Sequence, residues 1–128
     1  MAVRPPSIGD RELEILKVLW EHGPGTVREI DAVLRQQGVD YKYTTVLTML
    51  QRLEAKGYVR SDKRGPAHIF QAAVSRETLL RLRLKDLANQ LCEGTATPLV
   101  QALVEGHRFT AEEIDHFRRL LDQLEEEK

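Results

Sequence analysis

The chain has 128 residues and a mass of 14.7 kDa, room for one ordinary domain or a small domain with a helical extension, but not for two large ones. Aromatic residues make up 5% and charged residues 30%, which favours a mainly helical protein over a β-sandwich. No run of about 18 apolar residues marks a membrane span, and Met1–Pro6 lack the apolar segment of a signal peptide, so no membrane partner and a cytoplasmic location are expected.

The net charge of −1 is unevenly spread. Residues 1–74 hold 11 Lys/Arg against 9 Asp/Glu, residues 75–128 hold 8 against 11, and residues 42–64 hold 6 against 2. A local basic stretch of that kind suits a polyanionic partner whatever the total charge.

In chain order, Gly9-Asp10-Arg11-Glu12 opens a first helix, with Gly9 as N-cap and Glu12 placed for the reciprocal contact. Leu13, Leu16, Val18, Leu19 and Trp20 form its apolar side, and Gly23-Pro24-Gly25 ends it. Thr26-Val27-Arg28-Glu29 is a full capping box that starts a second helix reaching about Gln37. That helix buries Val27, Ile30, Val33 and Leu34, and Gly38 closes it. A third begins near Tyr43 or Thr44 and continues to Lys56, where Gly57 can take a left-handed C′ conformation.

Beyond Gly57 the pattern becomes that of strands. Tyr58-Val59-Arg60-Ser61 and His68-Ile69-Phe70-Gln71 flank the turn-rich Lys63-Arg64-Gly65-Pro66, which predicts a hairpin. Three helices and a hairpin follow the order of a winged helix-turn-helix. From Ser75 the chain is helical to Gly94, with Leu80, Leu84, Leu87 and Leu91 on one stripe. Thr97 as N-cap with Pro98 in the first turn starts a short helix that Gly106 stops. Thr110-Ala111-Glu112-Glu113 caps the last helix, which carries Ile114, Phe117, Leu121 and Leu124; Glu125-Glu126-Glu127 reads as a frayed, solvated end. The expected fold is therefore mainly α with a small β-hairpin: a winged helix-turn-helix at 1–74 and a helical region at 75–128.

The third helix carries the functional reading. At about 100° per residue, Val46, Leu50 and Leu53 fall on one side while Thr45, Thr48 and Arg52 fall on the other, with Lys42 just ahead and Met49 at the edge. Small hydroxyl side chains near the start of a groove-reading helix can approach bases or phosphates, and a long cation further along can reach a guanine edge. The positive end of the helix dipole favours phosphate near Thr44 and Thr45. An ordinary solvated face has the same composition; the order of elements around it favours duplex DNA. Lys63 and Arg64 at the hairpin tip are candidate contacts to phosphate or the minor groove, or charges that merely keep a turn soluble.

The segments Leu13-Glu14-Ile15-Leu16-Lys17-Val18-Leu19-Trp20, Thr26-Val27-Arg28-Glu29 and Tyr43-Thr44-Thr45-Val46-Leu47-Thr48-Met49-Leu50-Gln51-Arg52-Leu53, with Lys56-Gly57-Tyr58-Val59, resemble the penicillinase-repressor family of bacterial winged-helix regulators, the BlaI/MecI type. The likeness covers essentially the whole chain, is highly specific through residues 43–53 and much weaker after Ser75, and it implies an N-terminal DNA-binding domain at 1–74 and a C-terminal helical dimerisation domain at 75–128. It implies a homodimeric repressor on a palindromic operator, with Lys42, Thr44, Thr45, Thr48 and Arg52 on the DNA. Gly9 stands where a serine or threonine usually caps the first helix, and Gly65-Pro66 where Gly-Arg is common. Members induced by β-lactam sensing are cut by a regulatory protease at an Asn-Phe bond; Ala102-Leu103 aligns there, so the residues do not imply that partner.

Other chemistry finds little support. His22, His68, His107 and His116 form no metal-binding motif, and the lone Cys92 excludes an internal disulfide, leaving a buried small side chain or a redox-sensing thiol. No phosphate-binding glycine loop or nucleophile motif is present, so neither a cofactor nor a catalytic residue is expected. A helical interaction module without DNA binding, or a hydrolase using His/Glu pairs, stays open as an alternative.

Overall fold

The computed structural model describes residues 7–127; Met1–Pro6, read above as lacking a leader, and Lys128 lie outside the described residues. The order of elements is α1 (Asp10–His22), α2 (Val27–Gln36), α3 (Tyr43–Ala55), β1 (Val59–Asp62), β2 (Ile69–Ala72), α4 (Arg76–Leu91), α5 (Thr97–Gly106) and α6 (Ala111–Glu126). Two compact units divide the chain, the first ending at Asp86 and the second starting at Leu87.

The first unit is a winged helix. Its core joins Ile15, Leu16, Val18 and Leu19 of α1, Val27, Ile30 and Leu34 of α2, and Val46, Leu50 and Leu53 of α3 to Tyr58, Val59 and Phe70 of the hairpin. Each helix contributes residues at 3–4 spacing, so one face of each is removed from water. Leu13 and Val33, grouped with the core on periodicity, are only partly buried, and Ile15 lies fully inside. The predicted helix ends follow local chemistry. Thr26 Oγ1 accepts from Glu29 N–H at 3.2 Å while Thr26 N–H donates to Glu29 Oε1 at 3.0 Å. At Gly9 only half of such a box can form, the backbone N–H donating to Glu12 Oε2 at 3.3 Å, because glycine has no side chain to reciprocate.

The hairpin is antiparallel, pairing Val59 with Ala72, Arg60 with Gln71, Ser61 with Phe70 and Asp62 with Ile69. Phe70 also bridges to Gly25: Gly25 N–H donates to Phe70 O at 2.9 Å and Phe70 N–H to Gly25 O at 2.8 Å. The Gly23-Pro24-Gly25 turn thus does more than end α1; it lends the wing a third backbone partner and satisfies groups that would otherwise be orphaned beside the core.

The compact first unit extends past the expected boundary at 74/75, into α4. Leu79 is buried with the core, Trp20 Nε1 donates to Val74 O at 2.8 Å, and the Arg76 guanidinium lies 5.4 Å from the Trp20 ring centroid. These contacts bind the first turns of α4 to the winged helix. The helix ends at Leu91, short of Gly94, because Glu93 and Gly94 take positive φ of 53° and 86° and Gly94 N–H turns back to Ala88 O. Half-buried Cys92 sits in that turn.

In the second unit α5 starts at Thr97 itself, with Ala96 as N-cap and no side-chain capping bond, so Thr97 is not the expected cap. The Thr110/Glu113 box forms as expected, and α6 stays helical through Glu125 and Glu126 in place of fraying. Phe109 meets Phe117 edge-on at 5.2 Å. Leu87 and Leu91, Val100, Leu103 and Val104 of α5, and Ile114, Phe117, Leu120, Leu121 and Leu124 of α6 all remain exposed. The α5 residues were not anticipated as part of an apolar surface, although three β-branched or leucine side chains at that spacing signal one. No helix among the described residues is long and apolar enough to cross a membrane.

Candidate nucleic-acid interface

Helix α3 is positioned by its buried side. Val46, Leu50 and Leu53 are fully buried, which turns Thr44, Thr48, Gln51 and Arg52 outward and leaves Thr45 half exposed. Lys42, exposed, is the N-cap; its carbonyl accepts from Thr45 and Val46 N–H at 2.9 and 3.1 Å. Five of the expected residues, Lys42, Thr44, Thr45, Thr48 and Arg52, therefore lie along one helix and its cap. Gln51 shares the exposed side and was missed, although its place in the 3.6-residue period was visible; its amide can pair with an adenine edge. Met49, expected at the rim, is partly buried against the core.

The polar groups of this face differ in availability. Arg52 and Lys42 have no ionic partner among the described residues, so their charges are free for a ligand. Thr48 Oγ1 donates to Thr44 O at 2.8 Å, which spends its proton inside the helix and presents its lone pairs and methyl group.

The wing cations are less free than the sequence suggests. Arg64 holds Asp62 through Nε and Nη2 at 3.0 and 2.9 Å, and its backbone N–H donates to the same carboxylate at 3.0 Å. The side-chain bonds from Arg64, then its backbone bond, keep the Asp62 carboxyl below the usual range, and the Arg64 guanidinium is raised in turn. A depressed carboxyl pKa means the pair is intact at neutral pH and dissolves only as pH falls through that lowered value. Lys63 Nζ lies 3.9 Å from Glu54 Oε1, and Glu54 also accepts a hydrogen bond from Ser61, linking α3 to β1.

Between α2, the start of α3 and the wing runs an open groove of about 440 Å³, its walls including Thr26, Arg28, Tyr43, Leu47, His68 and Phe70. Elsewhere, His107 stacks on Phe109 and His116 lies tilted beside Phe117, Ala102 and Leu103 lie exposed on α5, and among the described residues no group of three or more His, Cys, Asp or Glu is placed to hold a metal ion.

Comparison with known proteins agrees over most of the chain. Residues 8–123 match the family model described as "Penicillinase repressor". The chain is 34% identical to the transcriptional regulator BlaI of Mycobacterium tuberculosis, over 92% of this chain and 85% of that one. It is 26% identical to the penicillinase repressor of Bacillus licheniformis, over 96% and 95% respectively. The solution structure of the DNA-binding domain of the repressor BlaI superposes with a TM-score of 0.51 at 29% identity, covering 61% of this chain and 93% of that domain.

Proposed function

The chain belongs to the penicillinase-repressor family of DNA-binding transcriptional repressors, and we propose that it represses by binding a palindromic operator as a homodimer, α3 entering the major groove of each half-site and the wing lying against the backbone or minor groove. The observation that carries this reading is the division of α3 into a fully buried side and an exposed side bearing Arg52, without an ionic partner among the described residues, beside Thr44, Thr48 and Gln51. A helix packed that way is held rigidly from behind, so side chains on its free side can meet base edges without reordering the fold.

Base contacts specify and phosphate contacts position. Arg52, Gln51, Thr45 and Thr48 take the first role; Lys42, Thr44, Lys63 and Arg64 take the second. Residues 75–128 supply the dimer through Leu80, Leu84, Leu87 and Leu91 on α4 and Ile114, Phe117, Leu121 and Leu124 on α6, all exposed in the single chain. Two-fold pairing doubles the contact and matches a palindrome.

Arg52→Ala is expected to weaken operator binding by about 1–3 kcal/mol per half-site, the worth of one good base contact, with folding unchanged because the side chain is exposed. Fluorescence anisotropy against operator and random duplexes measures it. Wild-type affinity in the folded variant removes Arg52 from the interface.

Thr45→Val keeps the shape and deletes a hydroxyl, so it is expected to lower the operator-to-random ratio more than random binding; Lys63→Ala is expected to do the reverse. Thr48→Val has a smaller expected effect, since that hydroxyl proton is already used within α3. An unchanged ratio for Thr45→Val argues against the assignment of α3 as the reading helix.

Asp62→Asn releases Arg64 and deletes a negative charge from the wing. Affinity for random duplex is expected to rise several-fold at low salt, with the gain fading as salt is added. Equal or weaker binding places the wing away from DNA.

A further inference from the structure

We propose that the groove between α2, α3 and the wing seats the DNA backbone beside the bases read by α3, with Arg28, Tyr43 and His68 holding one phosphate per half-site. The inference rests on the DNA-binding reading above but uses a different part of the surface.

Three features of the groove select a phosphodiester. Among the described residues its polar side chains are Thr26, Arg28, Tyr43 and His68, and none that lines it is a carboxylate. Arg28 offers five N–H donors and no acceptor, while Tyr43 and His68 can each donate, so the site is built to receive an anion. Glu29, next in the chain, is turned to the α2 cap, its Oε1 accepting from Thr26 N–H at 3.0 Å, and does not line the groove. The remaining wall, with Val27, Leu47 and Phe70, is apolar and suits the carbon face of a deoxyribose.

Availability and continuity point the same way. Arg28 has no ionic partner among the described residues, in contrast with Lys63 and Arg64, which face Glu54 and Asp62. Tyr43 immediately precedes Thr44, and Leu47 precedes Thr48, so the groove borders the exposed side of α3. A strand whose bases meet α3 must carry its phosphates along that border.

The test uses the full-length protein and operator duplexes carrying one uncharged methylphosphonate linkage at successive positions. For the wild type, one linkage per half-site is expected to lower affinity about tenfold when neutralised, the effect of losing a charged hydrogen bond. In Arg28→Ala that same linkage is expected to cost nothing further, and the slope of log affinity against log salt is expected to become shallower by about 0.9 per half-site. Tyr43→Phe, which keeps the ring, is expected to show a smaller loss at the same linkage. Arg28 is exposed and takes no part in the Thr26–Glu29 capping bonds, and Trp20 fluorescence reports that the fold is kept.

Arg28→Ala with the wild-type salt slope and linkage profile overturns the proposal and leaves the groove to a small anion. Additive losses from Arg28→Ala and every neutral linkage also overturn it, since Arg28 then acts elsewhere. Arg52→Ala is run in parallel: if it weakens operator binding while Arg28→Ala does not, only the groove assignment fails. If wild type and Arg52→Ala alike bind operator no better than random duplex, the DNA-reading assignment itself falls.

Discussion

Replacing Phe117 and Leu121 together with Asp is expected to turn a dimer into a monomer and abolish tight operator binding. On α6, Phe117 and Leu121 are 38% and 63% exposed in the single chain, in line with Ile114 and Leu124. Phe117 meets the Phe109 ring edge-on at 5.2 Å and has His116 beside it at 6.1 Å. An apolar stripe of that length on a 16-residue helix otherwise costs solubility, and a second copy of the same stripe is the self-complementary cover a two-fold interface supplies. Two carboxylates from each subunit in that seam would be stripped of water with no cation opposite, at a cost of several kcal/mol, about the strength of a modest dimer. Sedimentation at micromolar concentration is expected to show monomer. Weak, salt-dependent binding to a single half-site should survive, because residues 42–64 belong to the other compact unit. A variant that stays dimeric moves the interface to another surface.

Lys56→Met is expected to lower the stability of the winged helix by about 3 kcal/mol, the low end of the range for breaking a buried ion pair, since Lys56 still meets some solvent. Glu12, in the first turn of α1, is nearly fully buried, and Lys56 Nζ lies 2.7 Å from its Oε2 while also donating to Ser7 O at 2.8 Å. The pair ties the end of α3 to the start of α1. Without the ammonium group the carboxylate is left desolvated against the core, with the Gly9 N–H still donating to it at 3.3 Å. Adding Glu12→Gln should recover most of the loss, because the amide carries no charge and can still accept from Gly9. Denaturant melts followed through Trp20, the chain's one tryptophan, report on this unit. Equal losses in the single and double variants would show that packing of the lysine stem, and not its charge, carries the stability.

Much of this architecture was legible from local rules. Thr26 with Glu29 and Thr110 with Glu113 set helix starts through bonds three residues apart, a span the chain itself guarantees. Val46, Leu50 and Leu53 inside, and Thr44, Thr48 and Arg52 outside, follow from the helical period once α3 has any core to pack on. The family resemblance rests instead on residue identities in α1, α2, α3 and the start of the wing, most specifically residues 43–53.

The tertiary structure decided what depends on which elements become neighbours. Gly25 reads as a helix terminator, yet its backbone pairs with Phe70, 45 residues away. Glu12 reads as a capping residue, yet its charge answers Lys56 across the core. Lys63 reads as a free cation; Glu54 faces it only because the hairpin folds back beside α3, whereas Asp62 meets Arg64 from two residues away. Leu79 and Leu80 are adjacent and chemically identical, but the face that α4 turns to the winged-helix core buries the first and leaves the second in water. Capping and periodicity act within one element, where covalent geometry limits the partners to a few; pairing between elements is chosen by the packing of the whole unit, and the chain order alone does not list those partners.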